Sequence, residues 1–160
     1  MRTLEEVKAI LDRPLPDEAV TLHPTKAYLS NIKAIYVVER FNEAFGLGGW
    51  TIHNDVVEAG EKMIVVKSSF HAPKYNIEVL DLFGGNDNAD RGDAYKGACT
   101  DALTKIGSYL GVGMDVYKGK QSGKKATATN ALPNPYRVSS NSVKATPKVP
   151  VPDGVGGSPF

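Results

Sequence analysis

The stretch RGDAYKGACTDALTKIGSYLGVGMDVYKG, residues 91–119, decides the fold of this chain. At about 100° per residue, Tyr95, Ala98, Cys99, Ala102, Leu103, Ile106, Tyr109 and Leu110 gather on one arc, as in an amphipathic helix. Asp93, Gly97, Thr100, Asp101, Thr104 and Ser108 take the opposite arc, with Lys105 on the border. Acidic and small residues suit the start of such a helix. Gly97, Ala98, Ala102 and Gly107 leave room for another backbone to come close. Gly111 and Gly113 supply the left-handed conformation that ends a helix, and residues 114–117, MDVY, are expected as a short extended exit. Cys99, the lone cysteine, reads as a small core residue and excludes an internal disulfide, which fits a reducing compartment.

Upstream, Thr3 and Glu6 fit a capping box, and Leu4, Val7, Ile10 and Leu11 form one apolar face, so residues 3–11 are expected as a helix that Pro14 and Pro16 end. Residues 18–23 alternate as a brief strand. A second helix is expected over 30–45. Its apolar arc is Ala34, Val37, Val38, Phe41, Ala44 and Phe45, and its other arc is Lys33, Tyr36, Glu39, Arg40 and Glu43. Gly46, Gly48 and Gly49 then release the chain. Three strand-like runs follow, over 50–58, 62–71 and 75–83. Gly60 turns the first pair and Pro73 the second. In the middle run neither alternating set is purely polar, which fits cover on both faces of the sheet. Gly84-Gly85-Asn86-Asp87-Asn88 reads as a loop. The fold class is therefore α+β: helix, three-stranded antiparallel β-meander, long helix.

From about Lys120 the composition turns to Ser, Thr, Pro, Gly, Asn and Lys without a folding period. The expected division is a core domain over 1–118 and a basic, flexible tail over 119–160. Through Tyr117 the chain has twelve Lys and Arg against seventeen Asp and Glu; after it, seven against Asp153 alone. A nucleic-acid-binding core of that balance must concentrate its cations. No apolar run is long enough to span a membrane, and the acidic, amphipathic start MRTLEEVKAILD is unlike a signal or transit peptide.

Several chemistries are excluded by spacing. No P-loop is present: Gly92 to Gly97 has the glycine interval, but Ala98 and Cys99 follow. The acidic residues Asp81, Asp87, Asp90 and Asp93 lack the positions of a calcium loop and read as a solvated turn that caps a helix. His23, His53 and His71 have no ligand spacing, and no nucleophile signature occurs. The reading is non-enzymatic, with no cofactor and no metal.

Nucleic-acid contact remains. Lys33, Tyr36 and Arg40 share a helical arc, where a ring between two cations can stack a base and hold phosphate; an ordinary helix surface with an Arg40–Tyr36 contact is the alternative. Lys67 and Lys74 lie on or beside strands, where they can track phosphates. Arg91 and Lys96 open the long helix. Lys105 is spaced for an i,i+4 pair with Asp101.

Two motifs carry a resemblance. Thr100-Asp101-Ala102-Leu103-Thr104-Lys105 with Gly111-Val112-Gly113-Met114-Asp115-Val116-Tyr117 is one. Arg40-Phe41-Asn42-Glu43-Ala44-Phe45-Gly46 followed by Gly49-Trp50 is the other. Together they resemble the Rad fifty-two family of single-strand annealing proteins, including its phage recombinase, bacterial DdrA-like and mitochondrial genome-maintenance relatives. The resemblance covers roughly residues 28–119. It implies the β-β-β-α annealing core, assembled as a homo-oligomeric ring or filament, and ATP-independent binding and annealing of single-stranded DNA in recombination and repair. It also implies a cytoplasmic setting in a bacterial or phage-infected cell, a single-strand binding protein or recombination nuclease as a further partner, and an inner-groove role for Lys105. Thr104 and Ser108 stand where eukaryotic relatives carry more cations, so this groove is less charged. The runner-up is a non-catalytic interaction module whose basic tail binds nucleic acid nonspecifically. Ser158-Pro159-Phe160 resembles the Pro-Phe end of bacterial single-strand binding protein tails, without their acidic lead-in.

Overall fold

A computed structural model describes residues 2–123 apart from Pro24, Thr25 and Ala27; the expected basic tail beyond Gly123 lies outside the described residues. Helix α1, Leu4–Leu11, begins at Thr3, whose hydroxyl accepts from Glu6 N while the Glu6 carboxylate accepts from Thr3 N, the expected capping box. Val7 and Leu11 are buried beneath it, whereas Leu4 stays exposed. Strand β1, Val20–Leu22, pairs antiparallel with β2, Ser30–Ile32. Helix α2 therefore starts at Ala34, not at residue 30, and runs to Phe45. The cause is nonlocal: Ser30, Asn31 and Ile32 are taken by β1, and Lys33 donates its N–H to the Ala19 carbonyl at 2.8 Å.

The meander is β3 Thr51–Ala59, β4 Met63–Ala72 and β5 Ile77–Asp87, in the order β3-β4-β5 and antiparallel throughout. Gly60 N bonds Met63 O across the first turn, and a 3-10 turn, Pro73–Tyr75, makes the second. Ile64, Val66, Ser68, Phe70 and Ala72 point inward from β4 and are fully covered. The other face of the sheet, expected to be covered as well, is half-exposed to exposed along its length. Trp50 stacks on Phe70 with ring centroids 5.8 Å apart, meets Phe41 edge-on at 5.3 Å, and donates its indole N–H to Asn42 Oδ1 at 2.9 Å. The motif around Arg40 to Trp50 thus knits α2 to the sheet.

Helix α3, Arg91–Tyr109, starts at Asp90, whose carboxylate caps Asp93 N. Its small residues Ala94, Ala98 and Ala102 sit directly on Ile64 and Val66. This contact corrects the expected loop at 84–88, because β5 continues to Asp87. A side chain at Gly84 would run into the Ala98 carbonyl and place its Cβ 2.5 Å from Ala102 N. Gly84 is thus the point where helix and strand backbones meet, and such an approach needs glycine even inside a strand. Cys99 is half-buried beside the same cluster. Tyr109, placed on the apolar arc by spacing, is exposed and lines an open cleft with Lys8, Asp12 and Leu15.

The exit is also corrected. Residues 114–117 form a helical turn, α4 Met114–Tyr117, after Gly113 at φ 73°. Val112 and Val116 are buried, and burying both is what coils the segment. Beyond Lys118, Gln121 Nε2 bonds Leu15 O at 2.9 Å and Gly123 N bonds Ser30 Oγ at 3.0 Å. No described helix is long and apolar enough to cross a membrane.

Candidate nucleic-acid interface

A groove of about 450 Å³ runs along the polar side of α3. Gly97, Thr100, Asp101, Thr104 and Lys105 line it from α3, Gly85 and Asn86 from β5, His23 and residues 30–32 from the β1–β2 hairpin, and Tyr117 from α4. The Thr100-to-Lys105 motif therefore faces this groove.

Its centre is the Asp101–Lys105 pair. One carboxylate oxygen, Asp101 Oδ2, accepts from the Lys105 ammonium at 2.8 Å and from Gly85 N at 3.0 Å. Lys105 also donates to the Phe83 carbonyl at 3.0 Å. Phe83 and Gly85 lie on β5, whose only strand neighbour among the described residues is β4. The two side chains thus supply the acceptor and donor that a further strand would supply, and they close that stretch of edge. An ammonium has three donors, so one remains for a ligand.

The hydroxyls of the groove turn back on the helix. Thr104 Oγ1 donates to Asp101 O at 2.9 Å and Ser108 Oγ to Lys105 O at 2.7 Å. Both keep acceptor oxygens, not donors, for a ligand. Tyr117 donates to Thr104 O at 3.5 Å. Burial holds its phenol above the ordinary tyrosine range, Asp101 adds to this, and the Thr104 contact opposes it. Tyr117 therefore stays neutral at physiological pH, a ring suited to stacking.

Arg40 is buried, which corrects the expectation of an exposed Lys33–Tyr36–Arg40 patch. Its guanidinium is buried and donates to the carbonyls of Ile10 at 3.0 Å, Arg13 at 2.5 Å and Pro14 at 3.2 Å. These carbonyls lie in the last turn of α1 and in the segment that leaves it. Desolvation, then neighbouring Arg13, lower its pKa, while Glu43 raises it; the guanidinium remains charged. Tyr36 is half-buried against the main core. Lys33 is exposed at the start of α2.

The other candidates are dispersed. Lys67 projects from the face of the sheet opposite α3, 3.4 Å from Asp81. Lys74 sits in the β4–β5 turn, 6.0 Å from the Tyr75 ring centre, near Arg2. Arg91 lies over Tyr95 at 5.8 Å, one turn into α3, and Lys96 stands 4.0 Å from Asp93. Of the eight expected residues, Lys105 alone lines the α3 groove. Sequence reading missed Asn86, His23 and Tyr117 as groove residues. Tyr117 lay in plain view in the exit motif, but reading that exit as extended gave no reason to turn it toward Thr104.

The molecule is an α+β protein in which a three-stranded antiparallel meander is backed on one face by helices. Neither the protein-family models nor the curated proteins contain a match to this chain.

Proposed function

We propose that this protein binds single-stranded DNA and anneals complementary strands without ATP or metal, as an annealing protein of the Rad fifty-two type. The observation that carries the reading is the seat of the Thr100-to-Lys105 motif. The segment that resembles the family's groove motif lines a groove here, and Lys105 is held at its wall with one donor left over. The order of helix, meander and long helix supports the same reading.

In this reading no bond is made or broken. Lys105 offsets one phosphate charge, Tyr117 offers a ring for stacking, and the Arg91–Tyr95 pair offers a second cation–ring platform at the start of α3. A lone ammonium paired with a carboxylate binds phosphate weakly. Useful affinity then needs many protomers repeating the groove along one strand, in a ring or filament. The working compartment is the cytoplasm of a bacterial or phage-infected cell, and a single-strand binding protein or recombination nuclease is the expected further partner.

The test is annealing of complementary oligonucleotides with ATP and divalent ions left out. Acceleration that Lys105→Ala reduces supports the reading. The runner-up, an interaction module with a basic tail, is favoured by the low charge of the groove. It predicts DNA binding that is lost with the tail and no acceleration of pairing.

A further inference from the structure

We propose that the open face of the meander is a docking surface for an amphipathic helix of a partner protein, one whose apolar stripe is flanked by lysine and arginine. The helices of this fold cover one face of the sheet only, and a sheet with apolar side chains on its other face takes a second layer there.

Part of that face is apolar. Met63 and Val65 point outward from β4, alternating with the buried Ile64 and Val66. Phe83, paired with Lys67 across the strands, is 53% exposed, and Leu80 is 62% exposed. The register shift between Ser68 and Phe70 lets β5 carry an extra outward residue: Asp81, at φ 57°, turns its carboxylate to Lys67 and its N–H to Ser69 Oγ.

The margins are acidic. On β3, Asp55 lies opposite Lys67 and Glu58 opposite Val65. On β5, Asp87 lies opposite Met63 and Glu78 opposite His71. Lys67 is the one Lys or Arg side chain among the outward residues of the three strands, and the two histidines there, His53 and His71, each face a carboxylate. The result is an apolar patch of Met63 and Val65 on β4 with Phe83 and Leu80 on β5, beside the Lys67–Asp81 pair and with further carboxylates on β3 and at both ends of β5. Negative charge repels a phosphate backbone, an anionic membrane and a second copy of the same face. It suits a helix with an apolar stripe between two rows of cations. This inference goes beyond the annealing reading and does not rest on it, because the α3 groove lies on the other side of the sheet.

The test uses a designed helical peptide of about 18 residues, with leucines at helical spacing and lysines on both flanks, and a counterpart with glutamate in place of lysine. Binding to the full chain is read by fluorescence anisotropy at physiological salt, and its location by amide chemical shifts. The lysine peptide is expected to bind in the micromolar range and to shift residues 63–67 and 80–83. Phe83→Ser, and separately Glu58→Lys with Asp87→Lys, are expected to weaken it about tenfold or more. Thermal melts of each variant check that it folds. The inference is overturned if the two peptides bind alike, if folded variants bind as the parent does, or if neither peptide binds at about 100 µM, a level below which an interface of this kind is expected to act. Shifts confined to Thr100–Lys105, or a thymidine oligonucleotide occupying the same β4 and β5 residues, also overturn it.

Discussion

Asp101 and Lys105, one helical turn apart on α3, meet at 2.8 Å, and both also hold the backbone of β5. The pair fixes the helix to the sheet edge and sets the charge of the groove at once. Replacing Asp101 with Asn keeps an acceptor for Gly85 N and removes the anion beside the ammonium. Asp101→Asn is therefore expected to bind single-stranded DNA more tightly than the parent at low salt, with the difference fading as the Debye length falls to about 3 Å near 1 M. Lys105→Ala should weaken binding and lower the salt slope by roughly 0.7 for each phosphate that the ammonium neutralises in the parent. Titrations across a salt series check both, and equal slopes for all three proteins would remove Lys105 from the interface.

Arg40 makes a contrasting prediction. Its truncation removes a buried guanidinium and its bonds to the part-buried carbonyls of Ile10, Arg13 and Pro14. Arg40→Ala should cost about 2–4 kcal/mol in chemical denaturation, and Arg40→Lys should recover part of this, since one ammonium cannot reproduce the guanidinium fork. DNA affinity of the folded fraction should be unchanged. A drop in affinity at full stability would return Arg40 to the binding surface.

Gly84→Val tests the helix–strand contact. The added side chain must push the Ala98–Ala102 stretch of α3 off the strand. Overpacking of that kind costs roughly 1–3 kcal/mol and often more when backbone must move. A lowered melting temperature with new amide shifts along α3 is expected; unchanged shifts would mean that helix and strand do not touch there.

Two truncations test where the folded unit ends. Removing residues 124–160 should leave unfolding cooperative and weaken DNA binding chiefly at low salt, because the segment holds five Lys and Arg against Asp153. Removing residues 121–160 also deletes the Gln121–Leu15 and Gly123–Ser30 bonds and should cost about 1–2 kcal/mol more. Equal stability of the two products would mean that Gln121 and Gly123 add nothing to the fold.

Much of the fold was legible because its signals are local. The Thr3–Glu6 box, the alternation along β4 and the small-residue stripe of α3 each report a backbone preference within a few residues. What stayed hidden depends on partners far along the chain. Ser30 to Ile32 continue the pattern of α2 until β1 claims them. Gly84-Gly85 has loop composition, and only the arrival of Ala98 and Ala102 explains glycine in a strand. Arg40 sits among polar residues on a helical wheel, yet its partners are carbonyls in the last turn of α1 and the segment that leaves it, some thirty residues earlier. The groove was half legible: the i,i+4 spacing placed Lys105 beside Asp101, but nothing local turned Asn86 or Tyr117 toward them.

The most direct measurement is the rate at which two complementary fluorescent oligonucleotides pair, with ATP and divalent ions absent, over a range of protein concentration. The account predicts pairing on the order of tenfold or more faster than spontaneous, abolished at high salt and reduced by Lys105→Ala. Pairing at the spontaneous rate, with single strands bound or not, would contradict it.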